Sequence, residues 1–353
     1  MTRHEQTSSL LSVRDLKVHY AIKRDGWLSK PMKVHAVDGV SLELEIGRTL
    51  AIVGESGCGK TSTAMAIMQL AAVTSGSVRF KGVELTGLGP EAMRRQRRHI
   101  QLIFQDPYSS LNPRQRAGDI VRTPLDLMDI GTAAERQAKV DELFQLVGLR
   151  PEQQLLFPHQ FSGGQRQRLN IARALATDPD LIVCDEPVSA LDIAIRAQIL
   201  NLLRRIQRER NQSFLFISHD MAVVRHICDD IAVMYMGQVV ERATRAAFFT
   251  RALHPYSVAL MSAVPTVNGG RERAANRIRL AGDPPSPVNP PEGCRFAGRC
   301  PVAQERCRTQ APALRQVAPG HHAACHYVED AGGVITAPLD SYRTSLFVEE
   351  KVA

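Results

Sequence analysis

The sequence predicts an α/β fold, and three observations carry that expectation. Four short apolar runs read as buried strands: TLAIVG at 49–54, LIVCDE at 181–186, SFLFIS at 213–218 and DIAVMYMG at 230–237. Helical patterns separate them, as an α/β sheet requires. The first run empties into a glycine-rich turn followed at once by a helical pattern, the order in which such folds bind phosphate.

In chain order, LLSVRDLKVHY at 10–20 alternates apolar and polar side chains and reads as a half-buried strand, as does SLELEI at 41–46. Between them AIKRDGWLSKPMKVH, with Gly, Pro and several cations, reads as an exposed loop that carries Trp27. TLAIVG is a buried strand, and TSTAMAIMQLAAV after the glycine-rich turn is a helix. From about 90 to 176 the pattern is mainly helical, apart from IQLIFQ at 100–105, and AAERQAKVDELFQLVGL at 133–149 has amphipathic spacing. The strands at 181, 213 and 230 then resume the sheet. Beyond His254 the chain turns rich in Pro, Gly and Arg, and AGDPPSPVNPPEGC at 281–294 reads as a linker into a small appendage. Residues after about 330 read as a loose tail.

A length of 353 residues supports two or three compact units at roughly 100–200 residues each. With 44% hydrophobic and 23% charged residues, neither a disordered nor a fibrous protein fits. The chain has no apolar run near 18 residues and a mean hydropathy of −0.16, so no segment is expected to span a bilayer. MTRHEQTSSLL has no basic segment leading into an apolar stretch, so no secretory signal is expected and the cytoplasm is the expected setting. The formal charge of +8 is compatible with nucleic acid, an anionic membrane face or nucleotide phosphates. The run from Arg94 to His99 has no interleaved aromatics on which bases would stack, so it reads as a solvated helix face and nucleic acid is not expected as a partner.

Motifs choose among these. Gly54-Glu55-Ser56-Gly57-Cys58-Gly59-Lys60-Thr61 matches GxxxxGK[ST], with the strand before it and the helix after it that the motif needs. The glycines let backbone N–H groups curl toward phosphate, Lys60 reaches the β and γ phosphates, the Thr61 hydroxyl suits Mg²⁺, and Ser62 reaches the α-phosphate. Asp185 and Glu186 close an apolar strand and stand at its carboxyl edge, where open α/β sheets bind ligands. Asp185 suits Mg²⁺, and Glu186 is the candidate base that polarises an attacking water. Ser162-Gly163-Gly164-Gln165 opens a helix, where free N–H groups and the dipole favour an anion, although ordinary helix capping reads equally well.

Taken together these residues resemble the ATP-binding subunits of ABC transporters. FSGGQRQR is similar to that family's signature sequence, LIVCDEP to its Walker B strand, Ser189-Ala190-Leu191-Asp192 to its D-loop, Gln105 in FQDPYSSLNPR to its Q-loop and His219 in ISHD to its switch histidine. The motifs come in the family's order, and the resemblance covers roughly residues 10–330. It implies a P-loop NTPase fold of ABC type: a RecA-like core, an antiparallel β subdomain and a helical subdomain at about 106–176, within a nucleotide-binding domain at 8–253. It also implies a head-to-tail pair of such domains, each ATP held between one subunit's P-loop and the other's Ser162–Gln165 signature. Gln105 would contact Mg²⁺ or the water, His219 the γ-phosphate, Asp192 of the D-loop the nucleotide, and Tyr20 is the candidate for stacking on adenine. Phe161 stands where many members have leucine and Thr61 where serine is commoner, and both keep the chemistry of their positions.

Residues 254–330 resemble the appendage of the peptide and nickel import subfamily, through HPYSVALMSAVP, GDPPSPVNPPEGCRFAGRCPVAQERC and GHHAACH. Cys294, Cys300, Cys307 and Cys325 are separated by five, six and seventeen residues and lack the CxxC pairs usual for zinc. In related dipeptide importers such cysteines look like ligands of a [4Fe-4S] cluster, and four thiolates are the right number and type. Zinc with help from His321, His322 or His326, and reduced cysteines without metal, stand as alternatives. The expected function is ATP-driven import of short peptides or related small solutes such as nickel or glutathione. The subunit would sit at the cytoplasmic face of the inner membrane with a second ATPase, two permeases and an extracytoplasmic binding protein. A non-transport ABC ATPase, or a metal or redox sensor with secondary ATPase activity, are the rival readings.

Overall fold

The computed structural model describes residues 9–22, 32–263, 278, 280 and 282–330; the loop around Trp27 and the tail from 331 lie outside the described residues. The chain divides into two compact units, one of residues 1–11, 43–49 and 79–218, the other of 12–42, 50–78 and 219–353. Strands β1 (Ser9–Ile22) and β2 (Met32–Glu45) each run through both units. β2 begins at Met32, so MKVH is strand and not part of the loop that Pro31 and its neighbouring lysines suggest.

In the second unit β3 (Thr49–Val53) is buried throughout and feeds α1 (Lys60–Ile67). This helix is shorter than its apolar pattern predicts. Gln69 turns left-handed (φ 53°), and the N–H groups of Gln69 and Leu70 donate to the carbonyls of Ala66 and Met65, a Schellman ending that stops the helix. β4 (Ser75–Phe80) follows, and its end, Arg79 and Phe80, pairs antiparallel with β5 (Val83–Glu84) within the first unit.

The first unit continues with α2 (Pro90–Arg97), β6 (Ile100–Ile103), α3 (Ala117–Leu127) and α4 (Ala133–Val147). A reciprocal Thr132–Glu135 capping box starts α4 and a left-handed Gly148 ends it, as the sequence TAAE…VG asks. Two 3₁₀ turns lead to α5 (Gly163–Leu175), on which α3 and α4 pack. β7 (Leu181–Asp185), α6 (Ile193–Arg210) and β8 (Ser213–Ser218) follow. β6, β7 and β8 pair in parallel, with Ile103 opposite Cys184 and Asp185 opposite Ile217. Burial on both faces explains their continuous apolar runs.

The second unit resumes at α7 (Met221–Ile227), β9 (Asp230–Tyr235), β10 (Gln238–Thr244), α8 (Arg245–Thr250) and α9 (Pro255–Ser262). Its end holds α10 (Glu305–Thr309), β11 (Arg315–Ala318), β12 (His321–Ala323) and α11 (His326–Asp330). β9 pairs in parallel with β3 and antiparallel with β10, and β12 then adds to β10. The sequence reading has no counterpart to β10, β11 or β12. Ala51, Val233, Tyr235, Phe248, Tyr256, Phe296 and Val328 share one buried cluster, so the C-terminal segment packs into the core of its unit. Glu241, fully buried on β10, accepts from the N–H groups of Leu253 (2.8 Å) and His254 (2.7 Å) and pairs with His321 Nε2 (2.7 Å).

Candidate nucleotide-binding site

In the second unit the loop 54–59 wraps from β3 into α1. Gly59 takes φ 105°, and a Cβ there would stand 2.1 Å from the Ala36 carbonyl, so only glycine lets the loop pass so close to β2. Cys58 accepts from the Gly237 N–H (2.8 Å), whose own carbonyl accepts from Asp38 N–H (2.8 Å), tying the loop's end to two neighbouring segments. Lys60, 5% exposed, donates through Nζ to the carbonyls of Gly54 and Glu55, both at 2.9 Å. Burial pushes the Cys58 thiol upward in spite of that ammonium, so this cysteine is an inert, protonated part of the loop.

The first unit carries the acidic groups. Asp185 ends β7 and is buried; Glu186 follows with φ 47°, a left-handed backbone that a residue with a side chain seldom adopts. Three bonds hold it there: its N–H donates to Ile217 O (3.0 Å), and its carbonyl accepts from Ser189 N–H (3.2 Å) and Ser189 Oγ (3.0 Å). Gln105 Nε2 donates to Glu186 Oε2 at 3.1 Å, so the structure joins two of the residues that the sequence singles out. The adjacent loop is ordered by Asp106, whose carboxylate accepts from Tyr108 and Ser109 N–H groups, and these bonds hold its carboxyl below the usual range.

Ser162 caps α5, accepting from Gln165 N–H (3.3 Å) while Gln165 Oε1 accepts from Ser162 N–H (3.0 Å). The capping reading of this serine therefore holds for the free chain, and Gly163, half-buried, opens the helix. Gly164 has a packing role, because a Cβ there would lie 2.5 Å from Ile195 Cγ2 on α6. Asp192 precedes α6 without capping it through its side chain. In the second unit His219 is exposed, directly before Asp220, which caps α7. Tyr20 is 44% exposed near the end of β1.

Cys294, Cys300, Cys307 and Cys325 line one pocket, with about 310 Å³ of unfilled space including its mouth. Burial pushes Cys294 upward and Cys300 and Cys325 up to about 12. Among the described residues one trio of potential ligands has its donor atoms mutually within 4.8 Å, and it is His19, His35 and Asp38 instead of the thiols. Arg295 already pairs with Asp38 and, with His19, holds that carboxyl low against the raising effect of burial.

Residues 37–189 match the ABC transporter family, and residues 240–307 match the oligopeptide/dipeptide transporter C-terminal region. The chain is 46% identical over 319 residues to the oligopeptide transport ATP-binding protein AppF of Bacillus subtilis, covering 90% of this chain and 97% of that protein. The chain belongs to the ATP-binding proteins of ABC transporters. A second relative, the di/tripeptide transport ATP-binding protein DppF of Pseudomonas aeruginosa, is 45% identical over 91% of this chain and 98% of its own length. Among solved structures, a dimeric ATP-binding cassette in a post-hydrolysis state with ADP and Pi aligns at TM-score 0.60 and 27% identity, over 67% of this chain and 98% of that one. A component of the cbiONQ ABC transporter complex of Clostridium perfringens aligns at TM-score 0.60 and 25% identity, over 69% and 91%.

As an ABC ATPase this protein hydrolyses ATP, and its α/β fold is that of the family's cassettes. No helix among the described residues is long and apolar enough to cross a membrane. Sequence reasoning missed two contacts with the phosphate loop: Tyr256 Oη accepts from Glu55 N–H (2.7 Å), and the Arg299 guanidinium grips the Glu55 carboxylate. These partners lie 201 and 244 residues from Glu55, and no local pattern signals such a pairing.

Proposed function

We propose that this ABC ATPase powers import of di- or oligopeptides, or related small solutes, by ATP-driven closure of an ATPase dimer and reopening on hydrolysis. The observation that carries the reading is the identity of about 45% to peptide-transport ATP-binding proteins across more than nine-tenths of both chains, C-terminal region included. The partners are a second ATPase subunit of similar sequence, two permease subunits and an extracytoplasmic binding protein, and the chain works at the cytoplasmic face of the membrane. In this reading residues 8–253 form the nucleotide-binding domain, 254–330 the importer-type C-terminal domain and 331–353 a tail. Phe104 and Tyr108, exposed aromatics on either side of the Gln105–Asp106 turn, suit a surface that meets a permease.

In the chemistry, N–H groups of the 54–59 loop and the Lys60 ammonium hold the phosphates, and Ser62 supports the α-phosphate. Thr61, Gln105 and Asp185 are the residues that would hold Mg²⁺, which when bound neutralises charge on the phosphate oxygens. Their hard oxygen donors fit that ion. Glu186 takes the proton of the attacking water, with Gln105 orienting its carboxylate and His219 donating to the γ-phosphate. The partner subunit's signature serine and glycines close the site from the other side.

Cys294, Cys300, Cys307 and Cys325 are the proposed ligands of a [4Fe-4S] cluster. Zinc bonds of about 2.3 Å at tetrahedral angles need sulfurs roughly 3.8 Å apart. No three of these thiols approach within 4.8 Å, yet all four face one pocket. Four thiols lining one pocket are the right number and type for a cluster that gives each thiolate its own iron. Anaerobic purification of the tagged chain from native membranes tests both readings. Co-purifying permeases and a second ATPase, with a broad band near 400 nm, are expected. Ribosomal or DNA-repair partners would overturn the transport reading, and a colourless complex with permeases would remove the cluster alone.

A further inference from the structure

The C-terminal region reaches the phosphate loop through a set of contacts that no motif accounts for. Arg299 donates to both oxygens of Glu55, through Nη1 at 2.8 Å and Nη2 at 3.2 Å, a bidentate fork on the second residue of the loop. The guanidinium is itself held: Nη1 donates to Tyr235 Oη at 3.3 Å, and its centre lies 5.9 Å from the Tyr235 ring. Tyr235 packs against Tyr256 (4.7 Å between ring centres) and edge-on against Phe296 (5.2 Å). Tyr256 in turn takes the Glu55 N–H. Side chain and backbone of one loop residue are thus both fixed by residues from beyond 253. The Arg299 side chain is 10% exposed and that of Glu55 32%, so the pair is only partly screened by water.

We propose that Arg299, supported by Tyr256, is a positioning residue for ATP binding: it neutralises Glu55 and holds it aside, so that the triphosphate meets the loop's N–H groups and Lys60 instead of a free carboxylate. The physical reason is charge. A loop built to bind a polyanion gains nothing from an unpaired carboxylate at its second position, because like charges a few ångströms apart repel. Paired with a guanidinium, that carboxylate is neutral toward the ligand and becomes an anchor for the loop. The inference needs no metal in the adjacent pocket. It is read on the purified full-length chain without permeases, so it stands or falls separately from the transport reading.

The test compares ATP affinity and steady-state hydrolysis for R299A, R299K, E55Q and the E55Q/R299A pair, with thermal unfolding as the folding control. R299A should raise the Kd and KM for ATP about tenfold, the scale of a partly exposed charge-assisted bond, while kcat at saturating ATP stays within about twofold. R299K keeps the charge without the fork and should lose about threefold. Adding E55Q to R299A should restore most of the affinity, since the repelling carboxylate is gone. Unchanged affinity in a folded R299A overturns the proposal, and so does a defect that E55Q fails to relieve, which would mark Arg299 as merely structural. Where R299A lowers the unfolding midpoint, E55Q/R299A decides, because affinity no better than that of R299A overturns the proposal in the same way.

Discussion

Glu186 sits in a strained backbone conformation held by Ile217 and Ser189, and its carboxylate is already engaged by Gln105. Strain of this kind costs of order 1–3 kcal/mol and persists where surrounding bonds over-determine it, so the fold spends stability to aim one carboxylate. Glu186→Gln keeps the shape and the hydrogen-bonding reach but removes the base. ATP hydrolysis should fall at least about a hundredfold while ATP binding stays within about twofold, measured by phosphate release and equilibrium nucleotide binding. Turnover near the parent's would remove Glu186 from the role of base. The residues of this site were legible because each motif is local: GESGCGKT, LIVCDE and FSGGQ carry their chemistry within eight positions or fewer. Arg299 and Tyr256 were not, because their roles depend on packing between segments more than 200 residues apart.

At the scale of elements, α5 and α6 approach as closely as Gly164 allows. Gly164→Ala would force its methyl group against Ile195 and should cost about 1–3 kcal/mol by overpacking, read as a lower urea midpoint at unchanged slope. An unchanged midpoint would show that Ile195 yields freely. The start of α9 depends on a neutral imidazole: His254 Nδ1 accepts from Tyr256 N–H (3.1 Å), and burial drives its pKa from 6.5 down to about 4. The unfolded chain therefore takes up this proton at a higher pH than the folded one. The stabilisation is complete above pH 6.5 and is lost as pH falls toward 4. Between pH 7 and pH 5 the loss should be about 2 kcal/mol, and His254→Asn, which keeps a capping acceptor without the titration, should flatten that part of the profile in chemical denaturation. The sequence showed α4 and β7 clearly, through amphipathic spacing and an unbroken apolar run. It hid β10 and β12, short strands that mix Glu241, Arg242 and His322 among apolar residues. It overextended α1, since nothing in MQLAAV marks Gln69 as the left-handed residue.

For the molecule as a whole, the boundary that the motifs suggest after residue 253 cuts through a buried network. Glu241 has no exposure, and every partner described for its carboxylate lies at Leu253, His254 or His321. A chain ended at Arg251 keeps each ATPase motif but loses all of these partners. It also bares the faces of Tyr235 and Phe248 that pack with Tyr256, Phe296 and Val328. The truncated chain should therefore be recovered as aggregate. A soluble truncation with parent-like nucleotide affinity would contradict this account. The shared cluster also bears on how the chain is made. Val233 and Tyr235 leave the ribosome long before Phe296 and Val328 exist to cover them, so the second unit cannot complete its core during most of its own synthesis. A stop codon or a slow stretch of translation after residue 253 would leave a nascent chain holding every ATPase motif and an open apolar surface, the kind of surface that chaperones bind.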